Sequence, residues 1–331
     1  MTAKDTQKLE RIYEIFSSNF QLTRLYKSYL ENFPEMITEE MIEALCSDGT
    51  TDKKDAIAAL LCEFFGIDIF RSDGERCFMR DYISPSVRLL DAKRYTEDPY
   101  YKNVKIKDIK DGRWELRWES YAPYRAVICD DMVICDDMKE YPPLGFFTEK
   151  FDFPAVLEDG NEWMTLTPVD MDTCQDAIRR SRGRVVTFGL GLGYFAYMAS
   201  QKPEVAEVTV VELSEDVIKL FGTYILPYFP YPEKIRIVNS DAFKYAEEVM
   251  PKENFDFAFV DTWRDASDGA PMYKKMKALE HLSVGTEFSY WIENFLISRL
   301  RAEKYAELRE KLDTGVDLSY ESFINELRNP I

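Results

Sequence analysis

Between residues 5 and 65 apolar positions recur three and four apart, with Ile12, Ile15, Phe16, Leu22, Leu25, Tyr26 and Tyr29 in series. That spacing gathers them on one stripe of a 3.6-residue helix. Asp52 stands ahead of the apolar run 56–65 and Gly66 follows it, an N-cap and a C′ residue bracketing a second helix. From about 80 the period falls to two. Trp114, Leu116 and Trp118 alternate with charged residues, as on one face of a half-buried strand. The pentapeptide Ile-Cys-Asp-Asp-Met occurs twice, at 128–132 and 134–138. Apolar pieces on both sides of Asp130 and Asp131 predict a short hairpin.

Past residue 166 strands alternate with helices. Residues 184–188, 207–212, 234–238, 255–261 and 287–293 read as strands, Ser214 as an N-cap, and 294–328 as two amphipathic helices. Alternation of this kind predicts an α/β fold with a five-stranded, doubly wound parallel sheet. Three consecutive segments follow: a helical domain over 1–80, a β-rich segment over 81–165 and the α/β domain over 166–331.

Composition narrows the function. No apolar run in the 331 residues approaches the roughly 20 that span a bilayer. The polar start lacks a signal peptide's apolar stretch, so a cytoplasmic address is expected and no membrane partner. Six cysteines without a Cys-x-x-Cys pair, and the single histidine His281, provide neither a zinc site nor a disulfide frame. Asp130, Asp131, Asp136 and Asp137 lack a calcium-loop register, and no metal is expected. A net charge of −18 repels phosphate backbones, which argues against nucleic acid as a partner. A small-molecule partner is expected, and a homodimer is a possible assembly.

One polar element closes each strand of the α/β segment. Gly189, Gly191 and Gly193 follow the first strand and open a helix; glycines there allow a tight turn and close approach of a ligand. Glu212 ends the second strand about 20 residues on, where a carboxylate can accept both ribose hydroxyls. Asp241 follows the third strand, placed to accept from an adenine amino group or to cap the next helix. Asp261 ends the fourth, facing the glycine turn from the far side. Tyr194 replaces the x-x-Gly continuation of a nicotinamide fingerprint, and no Gly-Lys-Ser/Thr of a P-loop occurs.

This set resembles the class I S-adenosylmethionine-dependent methyltransferases, and its layout is similar to their spermidine synthase-like branch. The resemblance covers about residues 155–292. It implies S-adenosyl-L-methionine as cofactor, bound by Gly189, Gly191, Gly193, Glu212 and Asp241. It also implies transfer of a methyl group to a small, in some cases cationic, acceptor. Asp261 is then the catalytic acid–base residue, with Tyr194, Trp263 and Tyr290 as walls of the substrate pocket. Two departures bear on aminopropyl transfer, the alternative activity of that branch. Leu192 stands where its members carry the acid that binds the donor's amino group. Arg264 stands where they carry a second acid, with Asp265 one place late. A non-catalytic nucleotide-binding scaffold is the third reading.

Overall fold

The computed structural model describes residues 3–331. The chain forms two compact units, each assembled from separated stretches. The first comprises Met1–Asp91, Tyr121–Phe151 and Asn294–Ile331; the second comprises Ala92–Ser120 and Asp152–Glu293. Periodicity placed boundaries at 80/81 and 165/166, and the structure differs because the chain returns twice to the first unit. Backbone pairing explains one return: the strand Leu144–Phe147 lies between Val87–Leu90 and Ala126–Ile128.

In the first unit the apolar stripe of the helix Ala3–Asn32 is buried along its length, including Ile12, Phe16, Leu22 and Tyr26. Leu22 to Tyr29 pack with the helix Lys53–Phe64. Asp52 caps that helix by accepting from Asp55 N at 2.8 Å, and Gly66 just beyond it has φ +68°. Leu9 to Phe16 pack instead on Leu308 and on Phe323, Ile324 and Leu327 of the helix Tyr320–Arg328. Phe16 stacks on Tyr305 at 4.1 Å. Beneath them Arg301 and Glu140 form a buried ion pair. Ser298 Oγ donates to Glu140 at 2.6 Å, and Arg301 Nε donates to Leu327 O at 2.9 Å.

The repeated pentapeptide does not form the expected hairpin. Ala126–Ile128 pairs with Leu144–Phe147, and Val133–Ile134 pairs with Glu140–Tyr141. The intervening Asp131 carboxylate instead accepts from the backbone N–H groups of Asn294 at 2.9 Å and Phe295 at 3.0 Å. It thereby caps the helix Glu293–Asp313, whose first N–H groups have no partner within the helix. Those donors outcompete a local turn.

In the second unit, β1 (Ile109–Asp111), β2 (Trp114–Tyr121), β3 (Phe151–Glu158) and β4 (Asn161–Thr165) form a four-stranded sheet in that order. The remaining strands are β5 (Gly183–Phe188), β6 (Val205–Glu212), β7 (Ile235–Asn239), β8 (Phe257–Val260) and β9 (Glu287–Tyr290). They form one parallel sheet in the order β7-β6-β5-β8-β9. The order reverses between β5 and β8, the switch point at which open α/β sheets bind ligands.

Register fixes the faces of this sheet. Thr187, Phe259 and Ser289 are aligned on neighbouring strands and share one face. Phe195 of the helix Tyr194–Ser200 stacks on Phe259 at 4.4 Å, and Arg180 donates to Ser289. Phe188, Val260 and Tyr290 share the other face, against Tyr245 and Tyr273. Helices cover both faces, as double winding requires. Beyond Glu293 the described residues form only helices, Glu293–Asp313 and Tyr320–Arg328. Among the described residues no helix is long and apolar enough to cross a membrane.

Candidate functional site

The turn after β5 is built from three glycines in the left-handed region, at φ +96°, +51° and +76° for Gly189, Gly191 and Gly193. Gly189 and Gly193 also face matter that leaves no room for a side chain. A Cβ on Gly189 would sit 1.8 Å from the backbone O of Asp261, and one on Gly193 would sit 2.4 Å from the Phe221 ring. On Gly191 it would meet the Met164 methyl at 3.0 Å. Packing therefore demands Gly189 and Gly193, whereas at Gly191 it is the positive φ that selects glycine. Leu190 and Leu192 between them point inward and are buried. Tyr100 OH donates to the Leu192 carbonyl, which fixes the turn from behind.

Glu212 ends β6 beside this turn, 8% exposed. One carboxylate oxygen accepts from Leu190 N at 3.1 Å and the other from Ser214 N at 2.8 Å. Each oxygen retains a lone pair, because a carboxylate offers about four acceptor sites. Next to it Leu213 is 70% exposed, an apolar side chain held in water at a strand end. Asn239 Nδ2 donates to Leu213 O at 2.8 Å, tying the ends of β6 and β7. Asp241 is exposed and caps the helix Ala242–Glu248, accepting from Lys244 N at 2.9 Å. Of the two roles weighed for Asp241, capping is the one the structure displays.

A cavity of about 30 Å³ lies against the glycine turn, on the Thr187–Phe259 face of the sheet. Asp261, Asp170, Cys174, Tyr194, Met164 and Trp291 contribute to its wall. No hydrogen bond from the described residues reaches the Asp261 carboxyl. Burial lifts its pKa to about 8, with a contribution from the charge of Asp170. Asp170 lies in the helix Pro168–Thr173, where a capping box with Thr167 holds it. Thr167 N and Oγ1 both donate to Asp170 Oδ2 at 2.8 Å. Burial still outweighs those bonds, and the Asp170 pKa rises to about 6. The Cys174 thiol is pushed well above its ordinary range by burial, then by the charges of Asp261 and Asp170.

Tyr194 lines the cavity, as its position predicts. Its hydroxyl donates to Asp98 Oδ2 at 3.1 Å and accepts from Gln175 Nε2 at 2.9 Å, which fixes the ring. Trp263 and Tyr290 do not line it. Tyr290 is on the opposite face of β9, packed against Tyr273, with its hydroxyl donating to Glu280 at 2.8 Å. Trp263 stacks on Tyr290, and its ring N–H is buried with no hydrogen-bond partner. One residue of strand parity separates Tyr290 from Trp291, which does face the cavity. Arg264 and Asp265 are exposed, and Asp265 caps the helix Ala266–Leu279. His281 is exposed, its Nδ1 2.8 Å from the Ala278 carbonyl at that helix's end. Among the described residues no cluster of three or more His, Cys, Asp or Glu could hold a metal ion.

Glu212, Asp261 and the glycines lie together around the turn after β5, and residue spacing gave no sign of Asp170 or Met164 beside them. The capping-box pattern of Thr167 and Asp170 is readable in the chain and marks a helix start. Its aim into the cavity depends on which face of the sheet that helix covers.

The sequence matches no protein-family model and no curated protein. Among solved structures the chain is similar to a spermidine synthase from Thermotoga maritima, at 13% sequence identity and a TM-score of 0.33. The alignment covers 60% of this chain and 71% of that one.

Proposed function

We propose that the second unit binds S-adenosyl-L-methionine and transfers its methyl group to a small amine. The observation that carries this reading is the Asp261 carboxyl. It is unpartnered, raised to about 8, and placed at a mostly apolar cavity beside the glycine turn. The nucleoside end fits the residues present: Glu212 has lone pairs for the ribose hydroxyls, and Leu213 offers an apolar face for the base. Backbone of the glycine turn would lie along the methionyl chain. At that end the cavity holds only one or two waters, so Met164 must swing off Gly191; the unbranched methionine side chain is suited to that.

When bound, the cofactor supplies a methyl group activated on a sulfonium. The chain's own tasks are to align the acceptor and to take its proton. An ammonium entering the cavity favours the ionised form of Asp261, whose proton leaves to solvent, and the carboxylate then accepts an N–H proton and releases the nitrogen lone pair. Tyr194, pinned by Asp98 and Gln175, gives that space a rigid wall. Aminopropyl transfer from the decarboxylated donor is the second reading, favoured by the two acids at the cavity, which suit a diamine. Leu192 counts against it, because its buried side chain offers nothing to the donor's amino group.

Calorimetric titration tests the proposal. The wild type should bind S-adenosylhomocysteine, and Glu212→Gln should weaken binding by about 1–3 kcal/mol through a lost charge-assisted bond to the ribose. Asp261→Asn should keep that affinity and lower turnover of an amine substrate about 10²–10⁴-fold. A protein that ignores S-adenosylhomocysteine yet binds NAD overturns the reading. Tighter binding of the decarboxylated donor than of S-adenosylmethionine transfers it to aminopropyl chemistry.

A further inference from the structure

Asp261 and Asp170 reach the same cavity from different elements, one from the end of β8 and the other from the helix that precedes β5. A space of about 30 Å³ is one or two waters across, too little to screen one carboxylate from another. Asp170 cannot turn away, because Thr167 holds one of its oxygens with two 2.8 Å bonds. Among the described residues no cation contributes to the cavity wall. The other ionisable groups that do are Cys174, which stays a neutral thiol, and Tyr194, whose hydroxyl is raised by burial and by Asp98. From β4 the charge of Glu162 acts on Asp170 in the same sense. Among the described residues Asp170 is therefore the one anion on the wall beside Asp261.

We infer that Asp170 is a positioning residue that sets the pH at which Asp261 gives up its proton. Its fixed negative charge opposes a second negative charge across the cavity. Asp261 consequently keeps its proton to a higher pH than burial alone would hold it. When a cationic group enters, both carboxyls gain a partner, and Asp261 becomes a carboxylate only with its acceptor in place. In this use the inference rests on the amine-transfer reading; the electrostatic coupling itself does not.

A stability measurement that needs no substrate tests the coupling. Asp261 is raised in the folded chain, so its stabilising contribution is complete below pH about 4 and lost as pH rises toward about 8. The melting midpoint of Asp261→Asn should therefore pull ahead of wild type from about pH 4 and stop gaining above about pH 8. In an Asp170→Asn background the gain should stop about half a pH unit or more lower and reach a smaller total. Asn keeps an acceptor for Thr167, so the cap survives. Asp170→Glu retains the charge and serves as the second variant, with the gain ending near the wild-type pH. An unchanged end point in Asp170→Asn, or an Asp170→Glu profile that follows Asp170→Asn, overturns the inference. Where an amine substrate is turned over, the alkaline limb of kcat/KM should move with the same variant. A shifted stability profile without turnover refutes the enzyme reading alone.

Discussion

Cys174 and Cys77 share a chemistry and differ in everything around them. Cys77 is exposed, whereas Cys174 is buried and has two carboxyls nearby that resist a thiolate. Cys62 is likewise lifted, to about 12, by burial in the first unit. Only the thiolate alkylates. Iodoacetamide at pH 8 should therefore modify Cys77 in the folded protein and leave Cys62 and Cys174 intact until denaturant is added. Peptide mass mapping reads this directly, and early labelling of Cys174 would mean that its cavity opens freely. At this scale the sequence was legible where backbone geometry alone selects the residue. Gly189 and Gly193 have positive φ and no room for a Cβ, and Glu212 follows at a fixed spacing. Legibility ended where one step of parity decides the outcome. Tyr290 and Trp291 are adjacent aromatics, and only the register of β9 against β8 tells which one meets the cavity.

At the scale of elements, the helix Glu293–Asp313 depends on a carboxylate some 160 positions earlier in the chain. Asp131 satisfies two of its first backbone donors and also accepts from its neighbour Met132 N at 2.8 Å. Asp131→Ala should cost about 1–2 kcal/mol, the ordinary worth of an N-cap. Chemical denaturation with the helical signal as probe checks it, and no loss would mean that Asn294 and Phe295 find other partners. Burial raises the Asp131 pKa to about 6, and the backbone bonds recover only part of that cost. The pentapeptide repeat suggested a hairpin because its two copies are equal in sequence. Their partners are not equal, and no local pattern reveals a helix end arriving from residue 293. Helix caps at Asp52, Ser214 and Gly66, which rely on neighbours three or four residues away, were all readable.

Across the whole molecule, four carboxyls that folding makes harder to ionise act together, Asp98 being raised by burial against its hydrogen bonds from Tyr100 and Tyr194. Asp131 and Asp170 are raised to about 6 and Asp261 to about 8. Each stabilises fully below pH about 4, and the contribution is lost as pH rises through those folded values. Glu253 and Glu287 act in the opposite sense, with pKa values lowered by arginine partners despite some burial. They stabilise above their unfolded values and lose that contribution on acidification. A net charge of −18 adds self-repulsion at neutral pH. The apparent melting midpoint should therefore decline from about pH 5 to about pH 8, and about 0.5 M salt should restore part of it by screening. Differential scanning calorimetry in matched buffers tests both trends; a midpoint that climbs between about pH 5 and about pH 8 would show that the raised carboxyls do not govern stability there.

The division of the first unit into three stretches has a consequence for synthesis on the ribosome. Every residue of the second unit has been added once position 293 is reached, while the first unit still lacks Asn294–Ile331. The helix Ala3–Asn32 is made well before residues 308 to 327, yet they cover the Leu9, Ile12, Ile15 and Phe16 end of its stripe. Those side chains must wait for their cover until the second unit has been made. At about 5–20 residues per second, the wait lasts long enough for a nascent-chain chaperone to bind and leave. A helix made before the second unit is buried only after it.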